Sequence, residues 1–547
     1  MTAPLASCSV SAVVEPVPTL SASSERALGA YYTPSVPAAV LAAFALRAPG
    51  DRVLEPSMGA GAVLGALARQ DARRGLGAEV WGVEVAADTH AMVVSNGLLT
   101  PERALRSDFF AVEPFVVDAV VGNPPFRRLR HMAAGDRSRA LAAGEAVLGQ
   151  RILPDGNVWL PFVLHATRFL SPGGRLGFVL PYDVTYLRYV RPLWAFLARS
   201  FSSLRVVRCH ERMFEAYQET VLLLADGYGG STGHVELEAH RSLAALHAAR
   251  PMVRATAPVD IIVRGEHAFR SALLPSGVAD LLAETAAAHC TPVGSVATLS
   301  CGYVTGDKTF FHPTPAVVAR YGLPDSSLRP AFSASRQLRR VGLRTSRARD
   351  VDRLFLPPVD ADSVDANEWR YIEAGVGDGV ADRFKCRTRS PWYVTPAVRT
   401  PGVVLPVFSE RPAMLVNDAR LLASNSLLCG YELSTSPEVL AHGWYSSLTL
   451  LQLELEARSL GGGVITLMPR EASRVRVPLL DHDESHLARL DALLAADRVD
   501  DAFRAGDDAV LRRRLGLTAP DVDLVERGAA ELAWWRTAAK HQPNARQ

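Results

Sequence analysis

The first half of the chain alternates short apolar runs with polar or glycine-rich tips. Apolar runs at 53–54, 80–85 and 119–121 are separated by longer stretches in which apolar residues recur at helical spacing. Short buried strands that alternate with helices predict βαβ units and a parallel sheet. We therefore predict an α/β fold, a Rossmann-like and mostly parallel doubly wound sheet, for this part of the chain.

The apolar run at 119–121 leads into an unusually rigid tip, Gly122-Asn123-Pro124-Pro125-Phe126. Consecutive prolines fix φ and remove two backbone donors, so the tip presents an amide, a free carbonyl and an aromatic ring side by side. The Asn123 amide oxygen and the Pro124 carbonyl can accept both N–H groups of an aromatic amine, and Phe126 can stack on its ring. The alternative interpretation is an ordinary proline-rich turn that Asn123 caps.

Three further positions, one glycine and two acidic residues, also fall where a predicted strand ends. Gly59 lies in a glycine turn before a helix, Glu84 lies near the end of the next strand, and Asp108 follows a third. Ligands of doubly wound sheets gather at these carboxyl ends, so the positions predict one cofactor site. The same turn and Glu84 also fit an NAD site, and Asp108 alone is better explained as a helix cap or a turn residue.

Basic residues follow the rigid tip directly, at Arg127, Arg128 and Arg130, and a mobile-looking segment of Ala, Gly and Arg continues to about residue 151. We expect phosphate contacts here rather than only a solvated face. The densest basic cluster lies at 336–349 and includes Arg336, Arg339 and Arg340. This cluster is a second candidate contact with a DNA backbone.

Composition limits the classes of protein that the chain can be. With 547 residues, 48% hydrophobic and 21% charged, it is typical of a globular protein of two or three domains. Its net charge of +2 requires any DNA contact to come from local patches. Lysine occurs only at Lys308, Lys385 and Lys540, and the six cysteines are scattered without a Cys-x-x-Cys pair, so no metal site is predicted. No apolar run predicts a membrane span or a signal peptide, and we expect a cytoplasmic protein.

The pattern divides the chain into four predicted segments. Residues 1–24 are a flexible leader, 25–245 form the α/β domain, 250–483 form a domain of mixed strands and loops, and 484–547 are helical. We expect the stretch before the α/β domain to be too short for a fused nuclease. A predicted hairpin closes the α/β domain, and its loop carries Phe214 close to the cleft.

The order of these motifs resembles the γ-class adenine-N6 DNA methyltransferases, of which the TaqI and Eco57I-like methylases are examples. The resemblance covers about residues 25–225. It rests on the strings Gly29-Ala30-Tyr31-Tyr32-Thr33-Pro34, Val53-Leu54-Glu55-Pro56-Ser57-Met58-Gly59-Ala60-Gly61, Val83-Glu84-Val85, Ser107-Asp108-Phe109-Phe110 and Asn123-Pro124-Pro125-Phe126. It extends more loosely over 290–480, through Cys301-Gly302-Tyr303-Val304-Thr305-Gly306-Asp307, Leu328-Arg329-Pro330 and Gly461-Gly462-Gly463, and implies a target-recognition domain there.

The resemblance implies a role for each motif position. The methionine end of S-adenosylmethionine would lie at Tyr32 and Thr33. Its pocket would be lined by Glu55, Ser57 and Gly59, with Glu84 on the ribose hydroxyls and Asp108 on the adenine amino group.

The target base has its own set of implied residues. Asn123 and Pro124 would bind the N6 amine of a flipped adenine, and Phe126 and Phe214 would stack on its ring. Phe126 stands where Tyr is common in the family, so stacking is retained and a hydroxyl contact is lost.

The expected function is therefore site-specific transfer of a methyl group from S-adenosylmethionine to adenine in double-stranded DNA. A monomer is expected, with a cognate restriction endonuclease or a defence-complex subunit as a further candidate partner. Three alternatives stay open. These are a methyltransferase acting on cytosine N4, an RNA base or a protein glutamine, an NAD-type oxidoreductase, and a non-catalytic DNA-binding subunit.

Overall fold

The computed structural model describes residues 33–214, 219–459 and 463–537. The predicted leader at 1–24 lies outside these ranges. The chain divides into two compact units, the first comprising Met1–Val207 with Thr220–Val235 and the second Arg208–Glu219 with Glu236–Gln547. None of the helices in the described ranges combines the length and the hydropathy that crossing a bilayer requires.

The first unit is built on a mostly parallel sheet, which confirms the predicted fold class. Its strands are β1 (Arg52–Glu55), β2 (Glu79–Glu84), β3 (Ala104–Arg106), β4 (Val117–Gly122), β5 (Leu170–Pro181), β6 (Phe201–Cys209) and β7 (Thr220–Tyr228). They lie in the order β3-β2-β1-β4-β5-β7-β6. The neighbours from β3 to β5 pair in parallel, and β7 runs antiparallel to β5.

Strand register brings the predicted site positions to one edge of this sheet. Leu54 pairs with both Trp81 and Val120, so β1 lies between β2 and β4 with all three running the same way. On the other side of β2, Glu84 pairs with Arg106. Because the strands are parallel, the residues that follow each of them emerge at the same carboxyl edge.

Within the described ranges, six helices accompany the sheet. They are α1 (Ser35–Ala45), α2 (Ala62–Arg74), α3 (Ala87–Ser95), α4 (Ala134–Leu148), α5 (Trp159–Ala166) and α6 (Arg191–Ser200). Single turns of 3-10 helix occur in this unit at Phe109–Ala111, Leu129–His131, Thr167–Phe169, Tyr182–Thr185 and Arg188–Val190.

Helix α4 corrects the prediction of a mobile segment up to residue 151. Its sequence is rich in alanine, the strongest helix former, and the helix ends at Gly149, whose φ of 74° provides the left-handed cap. Gly144 lets α4 approach α5 closely, since a Cβ there would lie 2.7 Å from Pro161 Cβ. The segment is therefore fixed against α5.

The second unit mixes short strands with helices. Its strands are β8 (His234–His240, which begins in the first unit), β9 (Val253–Pro258), β10 (Thr291–Pro292), β11 (Thr298–Cys301), β12 (Leu328–Phe332), β13 (Asp352–Phe355), β14 (Val403–Pro406), β15 (Phe408–Ser409), β16 (Leu415–Val416), β17 (Leu422–Ala423), β18 (Leu427–Tyr431), β19 (Arg458–Ser459), β20 (Ile465–Thr466) and β21 (Arg476–Val477). Four of them form a sheet in the order β11-β18-β14-β16, and three form another in the order β13-β12-β17.

This unit contains more helices than the prediction of mixed strands and loops for residues 250–483 implies. They are α7 (Leu243–His247), α8 (Val259–Arg264), α9 (Ala268–Ser271), α10 (Val278–His289), α11 (Val293–Val296), α12 (Lys308–Phe311), α13 (Pro315–Tyr321), α14 (Ala366–Gly377), α15 (Pro437–Trp444), α16 (Ser447–Glu456), α17 (Pro469–Arg474), α18 (Glu484–Ala495), α19 (Val499–Gly506) and α20 (Ala519–Thr537). Helix α14 begins with a capping box of Asp365 and Glu368. This pair is a sequence signal for a helix start, and the prediction of strands and loops did not use it. The predicted C-terminal helices are confirmed.

A buried ion pair attaches the last helix to the rest of the second unit. Arg536 on α20 donates from Nε and Nη2 to the two carboxylate oxygens of Glu454 on α16, at 2.8 and 2.6 Å. Both side chains are almost fully buried. A bidentate pair of this kind fixes the relative orientation of the two helices.

Candidate active site

The turn after β1 is shaped by two glycines in the left-handed region. Gly59 has a φ of 48° and Gly61 a φ of 81°. A Cβ at Gly61 would lie 2.5 Å from Leu98 Cδ1, so this position requires glycine for space as well as for conformation. The backbone therefore approaches the cavity without a side chain in the way.

Glu84 is held at the end of β2 by backbone donors. The Gly59 N–H donates to Oε2 at 3.0 Å, and the Ala86 N–H donates to Oε1 at 2.9 Å. Each carboxylate oxygen can accept further hydrogen bonds. Glu84 therefore orders the glycine turn and still offers acceptors to the cavity.

Asp108 caps a turn, which is one of the two roles that the sequence left open, and its role toward a cofactor stays a prediction. Its Oδ1 accepts from the Phe110 N–H at 3.1 Å, which caps the 3-10 turn Phe109–Ala111. Its Oδ2 accepts from Arg139 Nη1 at 2.6 Å. Asp108 also lines the cavity, so capping the turn aims the carboxylate toward it.

A hydrogen bond joins the rigid tip at Asn123 to the glycine turn. Ser57 Oγ donates to the Asn123 backbone carbonyl at 3.0 Å. Asn123 is half-buried and Pro124 is buried. The tip and the turn are therefore held together as two walls of one cavity.

That cavity has a volume of about 460 Å³. Nine of the predicted site residues line it: Thr33, Glu55, Ser57, Gly59, Glu84, Asp108, Asn123, Pro124 and Arg127. Among the other predicted residues, Phe126, Arg128 and Arg130 are absent from its lining. Tyr32, Gly461 and Gly462 lie outside the described residues. Phe214 is buried and belongs to the second unit.

Glu55 is the most perturbed group of the cavity. Burial, together with the nearby charge of Glu84, raises its pKa well above the ordinary glutamate value. Its Oε2 has no hydrogen-bond partner within the described part of the chain. A buried carboxyl oxygen that lacks a partner costs stability, so a ligand that donates to it would be favoured.

Aromatic side chains form an apolar part of the same cavity wall. Phe109 and Phe162 line the cavity with their ring centroids 4.6 Å apart. His165 lies behind them, 4.9 Å from Phe109, and burial lowers its pKa to about 4. A neutral imidazole and aromatic rings make this wall suitable for a flat apolar ring.

The cavity therefore fits the chemistry of S-adenosylmethionine. The cofactor has donors at its ammonium, ribose hydroxyls and adenine amino group, and the cavity offers carboxyl groups at Glu55, Glu84 and Asp108. Its adenine is flat and apolar on both faces, so it can pack against the aromatic rings of Phe109 and Phe162. Among the described residues, no group of three or more His, Cys, Asp or Glu side chains is placed to hold a metal ion.

Sequence reasoning missed the contribution of α4 to this cavity. Asp136 and Arg139 of α4 line it, as does Met132 just before the helix, and Arg139 pairs with Asp108. The available signal was the alanine-rich stretch that ends at Gly149, which predicts a helix but not where the helix packs.

The arginine cluster at 336–349 is largely engaged with acidic side chains. Arg339 and Arg340 both pair with Asp497, at 2.6 and 3.6 Å, and Arg347 pairs with Asp491 at 2.6 Å. Arg336 is exposed. The role of this cluster in DNA binding stays a prediction.

A parallel sheet whose acidic strand ends surround a glycine turn, with an Asn-Pro-Pro tip in the same cavity, is the arrangement of Rossmann-like S-adenosylmethionine-dependent methyltransferases. Sequence comparison then gives the family. The model "N-6 DNA Methylase" matches residues 18–188, and "Type II methyltransferase M.Eco57I, C-terminal domain" matches residues 266–511. The first match is to an adenine-N6 DNA methylase domain, and the second, further along the chain, is to the C-terminal domain of a Type II methyltransferase.

Individual relatives are more distant. The Type II methyltransferase M.XhoI of Xanthomonas vasicola is 33% identical over 99 residues, which is 18% of this chain and 17% of that relative's length. The Type IIL restriction-modification enzyme MmeI, solved in complex with DNA, matches with a TM-score of 0.54 and 13% identity over 89% of this chain and 73% of its own. The Type IIG restriction endonuclease BpuSI matches with a TM-score of 0.41 and 15% identity over 96% of this chain and 67% of its own.

Proposed function

We propose that this chain methylates the N6 amine of adenine in duplex DNA, using S-adenosylmethionine, within a restriction-modification or related defence system. One observation carries the proposal. Asn123 and Pro124, which can accept from an aromatic amine, line the same cavity as Glu84 and Asp108, which can hold an adenosine group. An NAD oxidoreductase would have no use for the Asn-Pro-Pro tip.

The cofactor would be held by residues from three successive strand ends, together with Thr33 just before α1. Glu84 accepts from the ribose hydroxyls, Asp108 accepts from the adenine amino group, and Thr33 and Glu55 hold the methionine end. When bound, S-adenosylmethionine supplies an electrophilic methyl group on a sulfonium sulfur. The backbone donors on Glu84 and Asp108 fix both carboxylates in advance, so binding them requires little side-chain ordering.

The target amine would be held by the rigid tip. The Asn123 amide oxygen and the Pro124 carbonyl accept from the two N–H groups and reduce the delocalisation of the nitrogen lone pair into the ring. Because both acceptors are on a proline-stiffened loop, the nitrogen is positioned for attack with little loss of entropy. Phe126 is proposed to stack on the flipped base, which offsets an unstacking cost of a few kcal/mol. Stacking by Phe214, which is buried and belongs to the second unit, stays a prediction.

DNA would be bound and read by the second unit. MmeI, whose fold matches over most of this chain, was solved in complex with DNA, and this supports DNA as the substrate. Arginine contacts to phosphates would set the register, and side chains in the major groove would read the sequence.

The test is native-DNA modification sequencing of cells that express the wild type or Asn123→Ala. We expect N6-methyladenine at one defined motif with the wild type and a loss of about 100-fold or more in the variant, the scale seen when one transition-state contact is removed. Asn96→Ala is the matched control, because Asn96 is exposed at the end of α3 and does not line the cavity.

Cofactor binding separates a catalytic loss from misfolding. Asn123→Ala should bind S-adenosylmethionine as the wild type does, because the proposed cofactor contacts lie on other strand ends. A wild type that binds no S-adenosylmethionine would refute the proposal. A wild type that binds the cofactor but methylates RNA or protein in place of DNA would refute the substrate.

A further inference from the structure

One large aromatic side chain of the second unit is exposed among cations. Phe384 is 65% exposed. Lys385 Nζ lies 5.6 Å and Arg387 Cζ 5.5 Å from the centroid of its ring. Both distances are within reach of a cation–π contact, so the ring and the two charges form one cluster.

A second loop is attached to this cluster. Gly306, with a φ of 96°, lies against it so closely that a Cβ there would be 2.8 Å from Cys386 Sγ and 3.0 Å from Lys385 Cβ. Arg389 donates to the backbone carbonyls of Thr305 and Val304 at 2.7 and 2.6 Å. Residues 304–308 and 383–389 therefore form one ordered surface, which we call the Phe384 surface.

The charges of the Phe384 surface are uneven. Arg383 is paired with Asp307 at 2.8 Å. By contrast, no acidic side chain in the described ranges forms an ion pair with Lys308, Lys385 or Arg387, and all three are exposed. The surface thus carries uncompensated positive charge around an apolar ring.

The uneven use of lysine marks the same surface. The chain has only three lysines, and two of them, Lys308 and Lys385, lie here. In the arginine cluster at 336–349, Arg339 and Arg340 share the carboxylate of Asp497. The Phe384 surface therefore has more charge available to an anionic partner than the cluster that the sequence favoured.

We propose that the Phe384 surface binds duplex DNA, with Lys308, Lys385 and Arg387 on phosphates and Phe384 as an apolar wedge against the stacked bases. This inference rests on the proposed function, in which DNA is the substrate. Cations that lack protein counter-charges gain the most from phosphate, because each contact releases condensed counterions. Apolar wedges flanked by cations are a recurrent device of proteins that bend DNA.

The experiment measures binding of the full-length chain to a fluorescein-labelled mixed-sequence duplex across a salt series. Removing two phosphate contacts with Lys385→Gln and Arg387→Gln should reduce the slope of log affinity against log salt by about 1.8. Phe384→Ala should weaken binding several-fold and leave the slope unchanged, because it removes a contact that carries no charge.

Two matched controls come from the same unit. Phe408→Ala removes a ring that is 51% exposed but lies outside the Phe384 surface, and it should bind as the wild type does. Arg339→Gln with Arg340→Gln removes two charges that are already paired with Asp497, so it should change the slope less than the Lys385 and Arg387 pair does.

The outcomes separate this inference from the proposed function. If the wild type binds the duplex and the Phe384-surface variants bind it with unchanged affinity and slope, the inference is overturned and the proposed function stands. If the wild type binds S-adenosylmethionine but no duplex, both are overturned. Thermal unfolding of each variant identifies any loss that comes from misfolding, and an unfolded Phe384→Ala is replaced by Phe384→Leu.

Discussion

Replacing Glu84 by Gln tests whether the acidic end of β2 holds the cofactor. The substitution keeps the size of the side chain and removes its charge. In the structure, Oε2 accepts from Gly59 and Oε1 from Ala86, so both oxygens already serve backbone donors. A glutamine has one acceptor oxygen and one NH₂ group, so one backbone N–H would face a donor.

The expected loss follows from these contacts. Hydrogen bonds to charged groups contribute about 1.5–3 kcal/mol each, and the variant loses one such bond and weakens the remaining acceptor. Part of this lost free energy lowers the folding stability of the protein, because Glu84 no longer holds the glycine turn as firmly. We expect the rest to raise the dissociation constant for S-adenosylmethionine by about 10- to 100-fold, or about 1.4–2.8 kcal/mol.

Isothermal titration calorimetry with S-adenosylmethionine and S-adenosylhomocysteine is the assay. Both ligands carry the same ribose, so both should weaken alike. Glu79→Gln is the control on the same strand, since Glu79 lies at the far end of β2, is half-exposed and pairs with Arg103. Wild-type affinity in a Glu84→Gln protein with a wild-type melting temperature would refute the assignment of Glu84 to the cofactor.

The remaining predictions concern Arg139, which pairs with Asp108, and the buried histidine His486. Arg139→Ala removes a 2.6 Å ion pair with Asp108, in which the Arg139 side chain is 45% exposed and the Asp108 side chain 28%. Ion pairs this exposed contribute under about 1 kcal/mol, so calorimetry should show that the dissociation constant of the cofactor rises only a few-fold. Arg137→Ala on the same helix should show none, and equal affinities for the two variants would contradict the pairing. Burial lowers the pKa of His486 from about 6.5 to about 4, so its contribution to stability is complete above about pH 6.5 and is lost as the pH falls toward 4. Urea unfolding of His486→Leu should therefore depend less on pH between these values than the wild type, and an identical pH dependence would show that His486 is not neutral in the folded unit.

The strand ends of the first unit were predictable because each carries a local signal. Asn123 follows an apolar run and precedes two prolines, and Gly59 follows another apolar run in a glycine turn. A parallel sheet then brings such ends together whatever the exact lengths of its helices. For this reason the order of motifs along the sequence was sufficient to predict the cavity that Glu84, Asp108 and Asn123 now share.

Other contributors to the site depend on packing between distant segments. The stretch containing Arg139 signals a helix, but its position beside Asp108 is set by the close approach of α4 and α5 at Gly144. Likewise, the sequence does not reveal which cations are neutralised by acidic side chains. That Lys385 has no acidic partner among the described residues is known only from the structure. Charge density in the sequence favoured Arg339 and Arg340, and the structure pairs both with one carboxylate.

The three carboxyl groups of the cavity differ in how they are held, and this difference bears on their proposed roles. Glu84 and Asp108 are each fixed by backbone N–H donors, which determine where the remaining lone pairs point. Glu55 is deeply buried beside the charge of Glu84, which favours its neutral form. Glu84 and Asp108 therefore suit neutral donors such as hydroxyl and amino groups. Binding such donors depends more on a rigidly placed acceptor than on strong electrostatic attraction. Glu55 suits a group that arrives with its own positive charge, because that charge would restore the ionised form that burial disfavours.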